Sequence, residues 1–210
     1  MMASTLLCFT RPTPRLQHWL AALLLSCVFG MVRAESTAGS VPQLKLERQD
    51  DALVLSVQLD LELPFVVEDA LLKGIPVYFV ASAEVMRERW YWTNKRVASA
   101  QRHIRLSYHP LTRRWRINSG PGELSDTSQG LTLNQSFETL ADAMRTIRRI
   151  SYWKIADLAA IEAGGRHVVE FSFQLDAAQL PRPLQMGTQG LSDWQISLTA
   201  VQVLGPELHK

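Results

Sequence analysis

The chain has 210 residues, 20% of them charged, and a formal net charge of +2, a length that allows one domain with a substantial core. That small excess belongs to the N-terminus: residues 1–34 hold Arg11, Arg15 and Arg33 and no acid, leaving 19 basic and 20 acidic side chains in the rest. A near-neutral body gives no electrostatic case for nucleic acid. Both cysteines, Cys8 and Cys27, also lie in the first 34 residues, so disulfides are excluded from the remainder.

Arg11 and Arg15 precede an uncharged apolar stretch from Trp19 to Val32, and Val32-Arg33-Ala34 follows with the spacing an export peptidase reads. The apolar stretch is about 14 residues, short of the roughly 20 needed to span a bilayer. Residues 1–34 therefore read as a secretory signal peptide, residues 35–43 as a linker and residues 44–204 as one β-rich domain. The expected location is exported and periplasmic. An uncleaved inner-membrane anchor is the alternative, and Leu24-Leu25-Ser26-Cys27, loosely like a lipobox, leaves lipidation open.

Leu53, Leu55, Val57, Leu59, Leu61 and Leu63 are apolar at six successive odd positions, with Ser56, Gln58, Asp60 and Glu62 between them. A strict period of two is the mark of a strand with one buried and one wet face. Leu44 and Leu46 suggest a partner strand turned through Asp50-Asp51, and Pro64 ends the long strand. Val67 to Lys73 reads as a short helix stopped by Gly74. Val77, Phe79, Ala81, Ala83 and Val85 face one way, after which the apolar side switches to Met86, Trp90 and Trp92, predicting a bulge or bend. Ile104, Leu106 and Tyr108 alternate again and turn through His109-Pro110-Leu111-Thr112 into Trp115 and Ile117, a hairpin.

Ser119 to Gly130 reads as a loop. A helix is predicted near 136–150, where Phe137, Leu140, Ala141, Met144 and Ile147 form one stripe, with Glu138 and Asp142 early and Arg145, Arg148 and Arg149 late to suit the helix dipole. Two further strands follow, through Val169 to Leu175 and Trp194 to Leu198, with an extended Leu180 to Leu184 between them. The fold class is mainly β with minor α: an antiparallel β-sandwich, immunoglobulin-like in general architecture, with one packed helix.

Several stretches in order resemble a known family, the bacterial exported proteins grouped as domain of unknown function 4390. They are Gly74-Ile75-Pro76-Val77-Tyr78-Phe79, Arg89-Trp90-Tyr91-Trp92, Leu106-Ser107-Tyr108-His109-Pro110-Leu111-Thr112, Leu175-Asp176, Leu180 to Gln185, and Asp193-Trp194. The resemblance implies a single exported domain without established activity, and genes near a nitrogen-type two-component sensor kinase, which brings an envelope-signalling partner into view. It carries over no catalytic residue.

The chemistry of the chain points in the same direction. Beyond the leader there is no Cys, no Gly-x-Ser-x-Gly elbow and no His-Glu-x-x-His, so no catalytic residue, metal or cofactor is expected. Asp60 with Glu62, or Glu170 with Asp176, would suit glycoside hydrolysis only if the fold gathered them; on alternating strands they read as solvated.

One constellation stands out. Residues 87–116 hold nine basic side chains and one acid, a local charge of +8 against −6 before it and −3 after. The candidate interaction face comprises Arg87, Arg89, Trp90, Trp92, Arg105, Tyr108, Arg114 and Trp115. Guanidinium beside aromatic area suits an anionic envelope component or an acidic face of an envelope protein. The plainer reading has the aromatics in the core and the arginines on the wet side. A binding or interaction module is the leading function; a glycan-acting periplasmic enzyme and a membrane-anchored scaffold are the alternatives.

Overall fold

The computed structural model describes residues 39–89, 91, 93–121, 133–161, 165–181 and 194–205. They build two antiparallel sheets. The smaller holds β1 (Gly39–Gln49), β2 (Ala52–Leu61) and β7 (Arg149–Asp157) in the order β1-β2-β7. The larger holds β3 (Val77–Arg87), β4 (Lys95–His109), β5 (Arg114–Gly120), β6 (Leu133–Phe137), β8 (His167–Leu175) and β9 (Ser197–Val203), ordered β6-β5-β4-β3-β8-β9. Two short helices, α1 (Phe65–Leu72) and α2 (Leu140–Arg148), complete the described elements with two single 3₁₀ turns. The mainly β, two-sheet sandwich expected from the alternating runs is the fold of the molecule.

Alternation decides which face is buried. Leu53, Leu55, Val57, Leu59 and Leu61 of β2 and Val77, Phe79, Ala81, Ala83 and Val85 of β3 are all buried, and they share one apolar cluster with Val169, Phe171, Phe173 and Leu175 of β8. Phe79 and Phe173 stack with ring centroids 5.4 Å apart. The β1–β2 turn places Asp50 at φ 52, a left-handed conformation that a short polar side chain tolerates. The β3–β4 register shifts between Val85 and Met86, where the apolar side of the sequence switches.

Pro64 opens α1 with its φ already helical in sign (−57°), and Gly74 closes it at φ 83, its N–H bonded to the Leu71 carbonyl at 2.8 Å. Thr139 caps α2: its hydroxyl accepts from the Asp142 N–H at 3.1 Å while donating to the Asp142 carboxylate at 2.7 Å, a reciprocal arrangement akin to a capping box.

The helix predicted over 136–150 is shorter than expected. Ser136 and Phe137 end β6, and Arg149 and Ile150 already belong to β7. The linker expected over 35–43 gives way to strand at Gly39, and the last strand starts at Ser197 rather than Trp194. β6 and β7 themselves were not foreseen. β6 lies at the edge of its sheet, and all of it except Phe137 is exposed, so it shows no apolar alternation. In β7 the buried residues are Ile150, Trp153, Ile155 and Ala156, and the pairing with β2 slips twice, which erases the period of two.

Candidate functional site

β4 and β5 pair without a slip from His103↔Gly120 to His109↔Arg114, and the chain turns between them with Arg113 at φ 51. Ile104, Leu106, Trp115 and Ile117 face the core, so the strand pleat sends Arg105, Arg114 and Arg116 to the opposite face. Trp115 is only 6% exposed and lies 4.8 Å from the half-buried ring of Tyr108, its cross-strand neighbour. Trp115 is a core side chain, because it follows the inward phase of Ile117. Arg105 instead lies over Tyr78, its partner across β3–β4, with the guanidinium carbon 5.7 Å from the ring centroid. Tyr78 is thus an aromatic on the outward face of this sheet, outside the set expected from the sequence.

The described members of the expected face do not form one patch. Arg87 sits opposite Lys95 at one end of β3–β4, and Arg114 opposite His109 at the other end of β4, about 45 Å away along a strand rising roughly 3.3 Å per residue. Half-buried Arg87 is packed by the turn before β8: a side chain at Gly165 would begin 2.9 Å from its Nε. Arg89 is exposed in the following connection, and Trp90 and Trp92 lie outside the described residues.

A different set of arginines does converge. α2 bridges from β5 and β6 to β2 and β7, and an open groove of about 1040 Å³ runs beside it, lined by Arg114, Arg145, Arg148 and Arg149 with Gln58, Ser136, Thr146, Ser151 and the acids Glu138 and Asp142. Arg114 Nη2 is 3.2 Å from Glu138 Oε1, both side chains exposed. Arg145 pairs with Asp142. Arg148 donates from Nε to the Leu61 carbonyl at 2.7 Å, tying α2 to the end of β2. Arg149, opposite Gln58 in the β2–β7 ladder, is exposed and forms no ion pair with any described residue. The Thr139 hydroxyl first, and Arg145 second, hold the Asp142 carboxyl below its ordinary pKa; by residue type the groove sets four basic side chains against two acidic ones.

The sequence model for domain of unknown function 4390 matches residues 36–203. The chain belongs to this family. No curated protein and no solved structure matches it. The DUF4390 match covers every described strand and both helices, so the groove is built wholly from the family domain.

Other chemistry in this DUF4390 protein is dispersed. Asp60 and Glu62 are exposed, Glu170 is exposed opposite Glu84, and Asp176 is engaged in capping a turn by accepting from the Ala178 N–H at 3.1 Å. No group of three or more His, Cys, Asp or Glu among the described residues is placed to hold a metal ion. The basic run is partly absorbed by structure: Arg96 pairs with Glu84 at 2.9 Å, and Arg102 lies 5.1 Å over the Trp153 ring between the sheets, its pKa lowered by burial. Among the described residues no helix is long and apolar enough to cross a membrane.

Of the groove arginines, Arg114 stood in the expected interaction face, whereas Arg145, Arg148 and Arg149 read from the sequence only as charges suiting a helix dipole. Arg148 and Arg149 adjoin in sequence, yet one ends a helix and the next begins a strand. That junction turns both toward a β5 residue more than thirty positions earlier.

Proposed function

We propose that this DUF4390 protein is an exported binding module of the bacterial envelope, acting by holding an anionic partner rather than by catalysis, with the groove beside α2 as the contact. The observation that carries the reading is the convergence of Arg114, Arg145, Arg148 and Arg149 from β5, α2 and β7 on one groove with only two acids. Guanidinium groups pair with phosphate or carboxylate through two parallel donors. The hydroxyls of Ser136, Thr146 and Ser151 and the Gln58 amide add neutral partners suited to sugar hydroxyls. The groove is at the upper end of small-molecule sizes and open, which suits a stretch of phosphate- or carboxylate-bearing glycan. Export is supported by the leader, with its two arginines, apolar middle and Val32-Arg33-Ala34.

Titration of the protein with a fluorescein-labelled sulfated oligosaccharide, followed by anisotropy, tests this. Arg149→Gln is expected to weaken binding about tenfold, the value of one charge-assisted hydrogen bond, and to flatten its salt dependence. Equal affinity for wild type and Arg149→Gln refutes the assignment. N-terminal sequencing of the protein recovered from cell envelopes tests export: a start at Glu35 is expected, and intact chain among cytosolic proteins contradicts it.

A further inference from the structure

At one end of the molecule the surface is apolar and basic together. Leu111, in the β4–β5 turn, is fully exposed at 102% of its reference area, Phe65 is 83% exposed and Leu72 50%. Turns of this kind ordinarily carry polar side chains, and single exposed apolar residues need no explanation. These three, however, belong to adjoining segments. α1 packs against β4, and the Cβ position of Gly74, two residues after Leu72, is 4.0 Å from Cγ of Pro110, the neighbour of Leu111. Phe65 precedes Leu72 by seven residues, two helical turns, and so lies on the same side of α1 about 10 Å away.

The charges around this apolar end favour one kind of partner. Arg113 is exposed in the turn and forms no ion pair with any described residue, and Arg116 on the adjoining strand is exposed in the same condition. Arg114 and His109 flank the turn on its two sides. Of the two acids on α1, Asp69 is already neutralised by Lys73 at 2.5 Å, and Glu68 is half-buried. Protruding apolar side chains beside exposed arginines, of which Arg113 and Arg116 have no ion pair among the described residues, match an anionic bilayer, where the apolar groups enter the acyl boundary and the cations meet lipid phosphates.

We infer that the α1 and β4–β5 turn end of this domain docks on an anionic lipid bilayer, inserting Leu111 and Phe65 while Arg113 contacts headgroups. This contact is carried by observations separate from the groove. Arg114 is shared by the end and the groove, so docking would bring the groove to headgroup level.

The test uses the full chain with Cys8→Ser and Cys27→Ser, carrying a single nitroxide at Thr112→Cys or, for comparison, at Gln202→Cys. Gln202 lies on β9, about 40 Å farther along the sheet by register. Electron paramagnetic resonance power saturation with oxygen and a water-soluble nickel chelate reports whether each label enters lipid. With phosphatidylglycerol-containing vesicles the label at 112 is expected to enter and the label at 202 to stay in water, whatever the N-terminal segment contributes to binding. On phosphatidylcholine alone the label at 112 is expected to remain aqueous. Phe65→Ser with Leu111→Ser should cut the lipid-immersed fraction at least about tenfold, with an unchanged thermal midpoint as the folding control. Equal water exposure of both labels, immersion of both, immersion independent of lipid charge, or spin–spin broadening at 112 without vesicles (a second copy on this face) would each overturn the inference. Failure of the Arg149→Gln titration leaves every one of these readouts intact, so the two readings fall separately.

Discussion

Replacing Glu138 by glutamine separates attraction from mere crowding in the arginine groove. Glu138 Oε1 stands 3.2 Å from Arg114 Nη2, and both side chains are largely exposed, so the pair contributes no more than about 1 kcal/mol to stability. An incoming anion must therefore share Arg114 with Glu138 or displace it. Removing the carboxylate raises the local balance from two net positive charges to three. At a separation of about 7 Å in a water-like medium, one added unit of net charge is worth about 0.6 kcal/mol, or about threefold in affinity, and screening at physiological salt makes it smaller. Glu138→Gln is expected to tighten binding of the sulfated oligosaccharide by about that factor at low salt, with the gain fading as salt rises and the thermal midpoint nearly unmoved. Arg149→Gln, which removes a cation with no ion pair among the described residues, moves affinity the other way. Unchanged or weaker binding by Glu138→Gln, with Arg149→Gln silent, would show that the guanidinium groups do not face the ligand.

Other perturbations probe the frame that holds the groove. Gly74→Ala places an L side chain at φ 83 without a clash, the nearest atom being 4.0 Å away; the cost is conformational alone, about 1–2 kcal/mol, seen as a fall of roughly 2–8 °C in thermal midpoint, whereas Gly205→Ala, with nothing within 4 Å, leaves it unchanged. Ile147→Ala empties a site 2% exposed under α2 and should cost about 2–5 kcal/mol, read as a lower urea midpoint with unchanged slope, and should weaken oligosaccharide binding because α2 carries Arg145 and Arg148. The Asp142 carboxyl has its folded pKa depressed from 3.8. Its cap therefore stabilises α2 fully above pH 3.8 and is lost as pH falls through the lower folded value. Asp142→Asn removes that acid-limb dependence, which thermal melts between acidic and neutral pH will show.

Where alternation is strict, the chain discloses its own faces. β2, the first part of β3, the β4–β5 hairpin and β8 each carry apolar residues at every second position, and they bury those positions, Tyr108 alone of the hairpin set being half-buried. The bulge between Val85 and Met86 is visible as a switch of apolar phase. The arginines beside Trp115 fall on the opposite face for the same reason, since neighbouring residues on a pleated strand cannot point the same way. β7 hides because its two slips against β2, with Tyr152 at φ 49, break the rhythm, and β6 hides because an exposed edge strand has no apolar face to advertise.

Local order thus came from the amino-acid pattern by itself: the alternating strands, their turns, the two helices in outline, a thiol-free body and the family to which it belongs. The joining of Arg114 to Arg148 and Arg149, and of Leu111 to Leu72, belongs to the tertiary structure. Side-chain alternation is a short-range property of the backbone, readable over a few residues. Convergence depends instead on which strands pair and where a helix crosses between sheets, and those choices are made by burial of the whole core.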